Sequence, residues 1–447
     1  MTISRIIILC IALLPISTYS ISLPLTINNW GKVQAFNWNG VTPLALDIKT
    51  GVYYELAIIL LNKKAISLKK DIAKNIENEN QYIFYLEDTS ILNSINDFHL
   101  QIVNTQKSWP LNSSITKITK KTSPPKLSLI AASDSVEHGG AGLVVIESEK
   151  YNNLSTLAFL DENNIAFYPQ TFQKDGFYTI LFAWYTDHST KWTNQYILAM
   201  DKAGNTNTLI LSKVIPRSRK YKQSVINLPK DYAKQKAKEL ELSKEQSAKL
   251  EGNITEINKI LAQQRTFERW NKTRTSFSKN AKKIIKTPLV FSKPALPMSN
   301  AITTATYGDQ RKYFYQKKQV RTSVHRGLDY ASYKNTPIYA LLDGTIIYAD
   351  WYSGNGKSVI IDHGLNTYSL YAHNSKILVT EGQKVKAGTQ ISISGTTGQS
   401  TGDHLHLSIF IQGMFVEPKE WITANSIDKI FHKPLKEASE YIKNITN

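Results

Sequence analysis

From Ile21 to Thr122 the chain alternates short β-rich runs with polar turns, as in Tyr53-Tyr-Glu-Leu-Ala-Ile-Ile-Leu-Leu61 and Tyr82-Ile-Phe-Tyr-Leu86. Runs this short, cut this often, specify a small β domain. The basic segment Lys117–Lys121 leads to Pro124-Pro125, a stiff and extended pair that marks a boundary. Strand-like runs then recur at Leu127–Ile130, Gly142–Ile146, Tyr178–Trp184 and Thr208–Leu211, separated by Gly, Asn and Asp turns. That spacing predicts a β-sandwich, so the fold class is mainly β. At 447 residues the chain exceeds what one core supports and is expected to be multidomain. With 42% apolar and 20% charged residues its composition is globular.

The turn Asp201-Lys-Ala-Gly-Asn-Thr206 resembles the final hairpin of immunoglobulin-like modules in bacterial surface proteins. The expected order is an N-terminal β-rich domain at 21–122 and an immunoglobulin-like sandwich at 123–220. Between Pro229 and Trp270 the pattern changes: Leu250, Ile254, Ile257 and Leu261 recur at helical intervals, after a proline placed where a first turn accepts it. This amphipathic helix and the basic linker after it occupy 221–290. A helix packed on a neighbour and a lid over a site both fit the pattern. Pro288, Pro294 and Pro297 then lead into a last domain at 291–435.

Arg5, the apolar run Ile6–Leu14, Pro15 and the small polar stretch to Ser20 have the three regions of a secretory signal peptide, assigned to residues 1–20. Export to the periplasm or cell envelope follows. The alternative is an uncleaved anchor reaching Leu25, the one case in which the chain would meet a membrane as a span. Cys10, the only cysteine, lies in this run, so the mature chain is expected to form no disulfide. A formal charge of +18 calls for an acidic partner, which for an exported chain means anionic envelope polymers or lipid rather than nucleic acid. Oligomeric state is not readable from the sequence.

Five of the nine histidines fall between positions 325 and 406. In His325-Arg-Gly-Leu-Asp329 an imidazole and a carboxylate lie four apart; Gly327 disfavours a helix, so both are expected from a strand end and its loop. Tyr339–Leu342 and Gly344–Ala349 read as strands paired with each other. In His404-Leu405-His406, residues two apart on a strand face the same way, and Gly395, Gly398 and Gly402 shape the loop that delivers them. Tyr371-Ala-His373 closes a further strand, whereas His363, in Asp362-His-Gly364, is expected to stabilise its own turn. Two imidazoles and one carboxylate leave a tetrahedral zinc with one open position, the composition of a catalytic site.

These segments, with Gly354–Gly364, Glu381–Gly388 and Gly395–His406, resemble in order and spacing the lysostaphin/LytM-type zinc endopeptidases over Ser299–Trp421. The resemblance implies an antiparallel β domain, peptidoglycan as substrate and Zn2+ as cofactor. It assigns His325, Asp329 and His406 as metal ligands and His373 and His404 as the catalytic pair. Water activated by the metal would attack the scissile carbonyl of a peptide cross-link, with the two histidines assisting. Some members have lost ligands and act as activators of other wall hydrolases, so a non-catalytic or autoinhibited envelope protein is the alternative. None of the five positions is lost here. Tyr307, Asn374 and Leu407 depart from the family pattern, which bears on pocket shape and substrate preference.

Overall fold

The computed structural model describes strands between residues 25 and 120 as backbone elements, residues 123–235 apart from 162–164, 186–191, 193–194 and 233–234, and residues 291–446. The expected signal segment and the Leu250–Leu261 helix lie outside the described residues. Strands dominate, as the turn-punctuated sequence requires. Among the described residues no helix is long and apolar enough to cross a membrane.

Among the described residues, one compact unit comprises those up to 127, 148–165 and 196–209. In a four-stranded sheet, Leu44–Thr50 pairs antiparallel with Glu79–Tyr85 and parallel with Leu25–Thr26. In a five-stranded sheet, Asp97–Val103 lies between Leu56–Leu61 and Ile115–Lys120. Leu154–Leu160 pairs antiparallel with Tyr196–Asp201. The expected turn after Asp201 is present, and its carboxylate Oδ1 accepts from the N–H groups of Ala203 and Asn205 at 2.9 Å each.

The second unit comprises the described residues of 128–147, 166–195 and 210 onward. Ala141–Ser148 pairs antiparallel with Phe177–Ala183, and both are buried almost throughout. Near-continuous apolar runs such as Leu-Val-Val-Ile form strands like these when both faces are covered.

The strands that build the site are β1 (Gln223–Asn227), β2 (Ile302–Ala305), β3 (Gln310–Tyr315), β4 (Lys318–Val324), β5 (Leu328–Ala331), β6 (Gly344–Trp351), β7 (Lys357–Asp362), β8 (Thr367–Ala372), β9 (Leu405–Ile411) and β10 (Met414–Val416). The main sheet runs β2-β5-β9-β8-β7-β6 with Lys384–Val385 beyond β6, and β10 pairs with β9. Residues 223–227, in the segment read as linker, form a strand instead. β1 joins β3 in parallel, and β3 forms a hairpin with β4. Alternation explains it: Ser224 and Ile226 turn inward while Val225 is 63% exposed. Past Pro229 a helical turn begins, with Gln235 N donating to Asp231 O at 2.9 Å.

One pairing expectation is corrected. Pro337–Tyr339 pairs with Gln390–Ile393, not with β6, whose partners are β7 and Lys384–Val385. Leu341 and Leu342 are buried in the turn between the two strands, so the apolar run there marks core rather than a shared ladder.

Alternation on β9 sorts the core from the site. Leu405, Leu407, Ile409 and Ile411 point to one face and are fully buried, while His406 and Ser408 point to the other. Farther along that second face Phe410 stacks on Tyr368 at 5.1 Å, within a cluster containing Tyr348, Ile360 and Leu370.

Glu420 lies beside the strand Ala141–Ser148, its Oε2 accepting from Ala141 N at 2.9 Å. Burial pushes its carboxyl up from 4.5 to about 8, and the nearby Glu417 and Glu137 add to the shift. Folded protein therefore holds a proton that unfolded chain has already lost between those values. The contribution is full below the unfolded value and is lost as pH rises through about 8. Glu420→Gln keeps an acceptor for Ala141 N and is expected to melt about 5 °C above wild type at pH 9, and level with it at pH 4. Scanning calorimetry across pH checks this; parallel curves for the two proteins would sink it.

Candidate active site and metal centre

Three strands bring the site together in one row, because Asp329 on β5, His406 on β9 and Ala372 on β8 lie directly opposite one another. His325 follows the end of β4, as expected for a strand end and its loop. Gly327, in that loop, lies against the His406 ring: a Cβ there would fall 2.7 Å from its Cε1, so no larger residue fits. His404 immediately precedes β9, bridged to Gly395, and shares the side of His406. His373 closes β8.

Asp329 Oδ1 is 2.9 Å from His325 Nε2 and 2.8 Å from His406 Nδ1, and these two nitrogens are 3.0 Å apart. Donors bound at ordinary zinc distances to one tetrahedral ion stand about 3.3 Å apart, so this triangle is of the right size. The second nitrogens agree. The carbonyl of Thr306 can only accept, so His325 donates from Nδ1 at 2.8 Å and turns the Nε2 lone pair inward. His406 Nε2 meets Ser408 Oγ at 2.8 Å, leaving Nδ1 for the site. Lone pairs of buried imidazoles aimed at a carboxylate oxygen repel it unless a cation lies between them; the residues fit a metal ion.

The electrostatics point the same way. Burial pushes the His406 imidazole down to about 4, against the opposing pull of Asp329. Burial raises the Asp329 carboxyl, but the close contacts of the His325 and His406 rings outweigh it and hold the group well below the usual carboxylate range. A neutral imidazole and an ionised carboxylate are the forms that ligate.

The two remaining histidines are held alike. His373 donates from Nδ1 to Thr397 O at 2.8 Å, and His404 from Nδ1 to Gly402 O at 2.8 Å, leaving each Nε2 as the free acceptor. Their ring centroids are 4.8 Å apart, and His404 Nε2 is 3.7 Å from Asp329 Oδ1. Burial, with the His404 and His406 imidazoles beside it, holds His373 well below its ordinary value and therefore neutral. The backbone of His373 is in the left-handed region at φ 63, a strained conformation for a non-glycine residue, fixed by its N–H donating to Asn355 O at 2.8 Å. Thr397 O is placed by two glycines face to face: Gly356 and Gly398 have φ of 65 and 73, and a Cβ on Gly398 would lie 2.4 Å from Gly356 N. All five residues line one open groove of about 750 Å³, with Arg321, Arg326 and Tyr352 on its walls.

His363 is not part of the cluster. It is held inside the sheet by Asp343 O and Ser369 Oγ at 2.7 Å each, and burial pushes it down to about 4. Two of the departures from the family pattern have structural work that the sequence did not disclose. Tyr307 donates its hydroxyl to Phe415 O at 2.7 Å, and fully buried Asn374 donates to Lys357 O and Tyr371 O at 2.9 Å each. Sequence reasoning also gave no role to Arg311, whose Nη2 donates to Asp329 Oδ2 at 3.0 Å.

Residues 323–418 match peptidase family M23. Over 123 residues the chain is 40% identical to the peptidoglycan DD-endopeptidase ShyA of Vibrio cholerae, a stretch that is 27% of each protein. Over 97 residues it is 35% identical to the murein hydrolase activator EnvC of Escherichia coli, covering 22% of this chain and 23% of that one. Among solved structures, the catalytic domain of the antimicrobial peptidase lysostaphin from Staphylococcus simulans aligns at 30% identity with a TM-score of 0.24, covering 28% of this chain and 92% of that one. The chain thus spans about a quarter of the length of these curated relatives.

Proposed function

We propose that this chain, which carries a lysostaphin/LytM-type domain of peptidase family M23 at residues 323–418, is an exported zinc endopeptidase that hydrolyses peptide cross-links of peptidoglycan. The observation that carries the reading is the convergence of three donors, His325, Asp329 and His406, beside two histidines that each present Nε2 to the same groove. The donors would hold the ion, and the chemistry it supplies when bound is Lewis acidity toward a peptide carbonyl and toward water.

The rest falls to the chain's own groups. A neutral imidazole with Nδ1–H committed to a carbonyl accepts a proton only at Nε2, so His373 and His404 can each take one from water and return it to the leaving amine. Either can also donate from Nε2, once protonated, to a developing oxyanion. Arg321 lies with its guanidinium 4.2 Å over the Tyr313 ring and donates to Gln399, and Arg326 is on the same wall. Such a groove suits a peptide that carries carboxylates, as does the charge of +18 on the whole chain.

The test is mass spectrometry of muropeptides released from purified sacculi by the zinc-supplied full chain. Cross-linked dimers are expected to fall and monomers to rise, and His406→Ala is expected to release none. Equal profiles for the two proteins would reject the reading. The similarity to EnvC motivates the other reading, an activator, which would be favoured if the chain released nothing alone but accelerated a second wall hydrolase.

A further inference from the structure

A metal-ligating carboxylate keeps its orientation through the partner of its other oxygen, and that partner needs its own support. Here the support can be followed outward for three steps. Asp329 turns Oδ1 to the two histidines and Oδ2 to Arg311, whose Nη2 donates at 3.0 Å. The same guanidinium donates from Nε to Asp309 Oδ2 at 3.1 Å. Asp309, only 3% exposed, accepts on Oδ1 from Ser224 Oγ at 2.7 Å. Ser224 lies on β1, directly opposite Arg311 in the parallel pairing with β3.

The backbone closes the same loop. His325 N donates to Asp309 O at 2.9 Å, Gly308 N donates to His325 O at 2.7 Å, and Gln310 N donates to Lys222 O at 2.8 Å. Residues 308–310 are therefore fixed to a metal-ligand candidate on one side and to the start of β1 on the other. Ile226, on the same face of β1 as Ser224, reaches the groove itself. Ser224, Asp309 and Arg311 all lie ahead of residues 323–418.

We infer that β1 is a working part of the metal centre: Ser224 holds Asp309, and Asp309 with Arg311 holds Asp329 in its ligating orientation, so metal affinity is set partly by a strand about 100 residues upstream of His325 and Asp329. These are positioning residues, not catalytic ones. Asp309 also offsets the charge of Arg311, so the pair orients the ligand without placing an uncompensated cation beside a divalent ion. The inference rests on the reading of His325, Asp329 and His406 as zinc ligands.

Its test keeps the charges and removes the geometry. Arg311→Lys retains the cation, but an ammonium cannot span two carboxylates as the planar fork does. Ser224→Ala removes one hydroxyl from a partly exposed strand and leaves every charge in place. Zinc affinity of the full chain is measured by competition with a chromophoric chelator, beside the melting temperature of the metal-free protein. Each variant is expected to bind zinc roughly 10-fold more weakly than wild type. The metal-free melting temperature of Ser224→Ala is expected to stay within a degree or so of wild type, and its activity to return at saturating zinc. Wild-type affinity in Ser224→Ala would overturn the inference whether or not Arg311→Lys folds. A wild-type chain that bound no zinc would overturn the ligand assignment itself, and the inference with it.

Discussion

His373→Ala is expected to lower kcat on cross-linked peptide by about 10²–10⁴-fold while zinc affinity changes by less than a few-fold. The size follows from how the side chain is held. Its Nδ1–H is committed to Thr397 O, its ring is buried and neutral, and its N–H is fixed to Asn355 O, so Nε2 is delivered to the groove with little freedom left to lose. The left-handed backbone of His373 points the same way, since such strain persists only where surrounding bonds over-determine it. No bond joins His373 to His325, Asp329 or His406, which is why metal binding should survive. Steady-state kinetics beside a zinc titration separate the two effects. A variant that lost zinc and activity together would make His373 part of the metal support, and one that kept full activity would leave His404 as the working base.

The sequence made the residues of this site legible more readily than their supports. His404-Leu405-His406 could be read because alternation on a strand is strict, and the structure keeps both imidazoles on one side with Leu405 buried on the other. His325 and Asp329 are only four apart, so the chain itself brings them together; their closeness to His406, 81 and 77 positions on, needed the β5–β9 ladder. Arg311 lay within the stretch Ser299–Trp421 that resembles the family but could not be given a partner, because nothing local says which carboxylate a guanidinium will meet. The carbonyls of Thr306, Thr397 and Gly402, which orient three of the imidazoles, were invisible for a simpler reason: every residue has a carbonyl, and only the fold selects one.

For the fold, short runs of β-branched and aromatic residues located strands well, but not their partners. Gly344–Ala349 was legible as a strand, but its pairing with Lys357–Asp362 was not, nor was the pairing of Pro337–Tyr339 with Gln390–Ile393, about fifty residues away. β1 was missed because five residues with two inward-facing positions are too short for a periodicity argument, and a parallel partner at Gln310–Tyr315 leaves no hairpin turn to signal it. Local pattern fixes what a segment is, and non-local packing fixes where it goes.

Stripping the metal is expected to abolish release of muropeptides and to lower the melting temperature of the second unit by about 10 °C, both restored by zinc. An ion that binds only the folded chain stabilises it by RT ln(1 + [L]/Kd), about 4 kcal/mol at a thousandfold excess over Kd, and a unit of this size shifts by a few degrees per kcal/mol. In this site the effect should be near the full value, because removal leaves three buried donors within 3.0 Å of one another, with the second nitrogens of His325 and His406 already spent on Thr306 and Ser408. Asp329→Ala removes the oxygen on which both imidazoles converge, so it should melt near the chelated wild type and show no response to zinc. Differential scanning calorimetry with and without a chelator, followed by zinc titration back, measures the linkage directly. A melting temperature unmoved by chelation would mean that these three residues form a hydrogen-bonded cluster rather than a metal centre. That result would remove the premise for catalysis at the groove, because His373 and His404 alone supply proton transfer but nothing to polarise the scissile carbonyl.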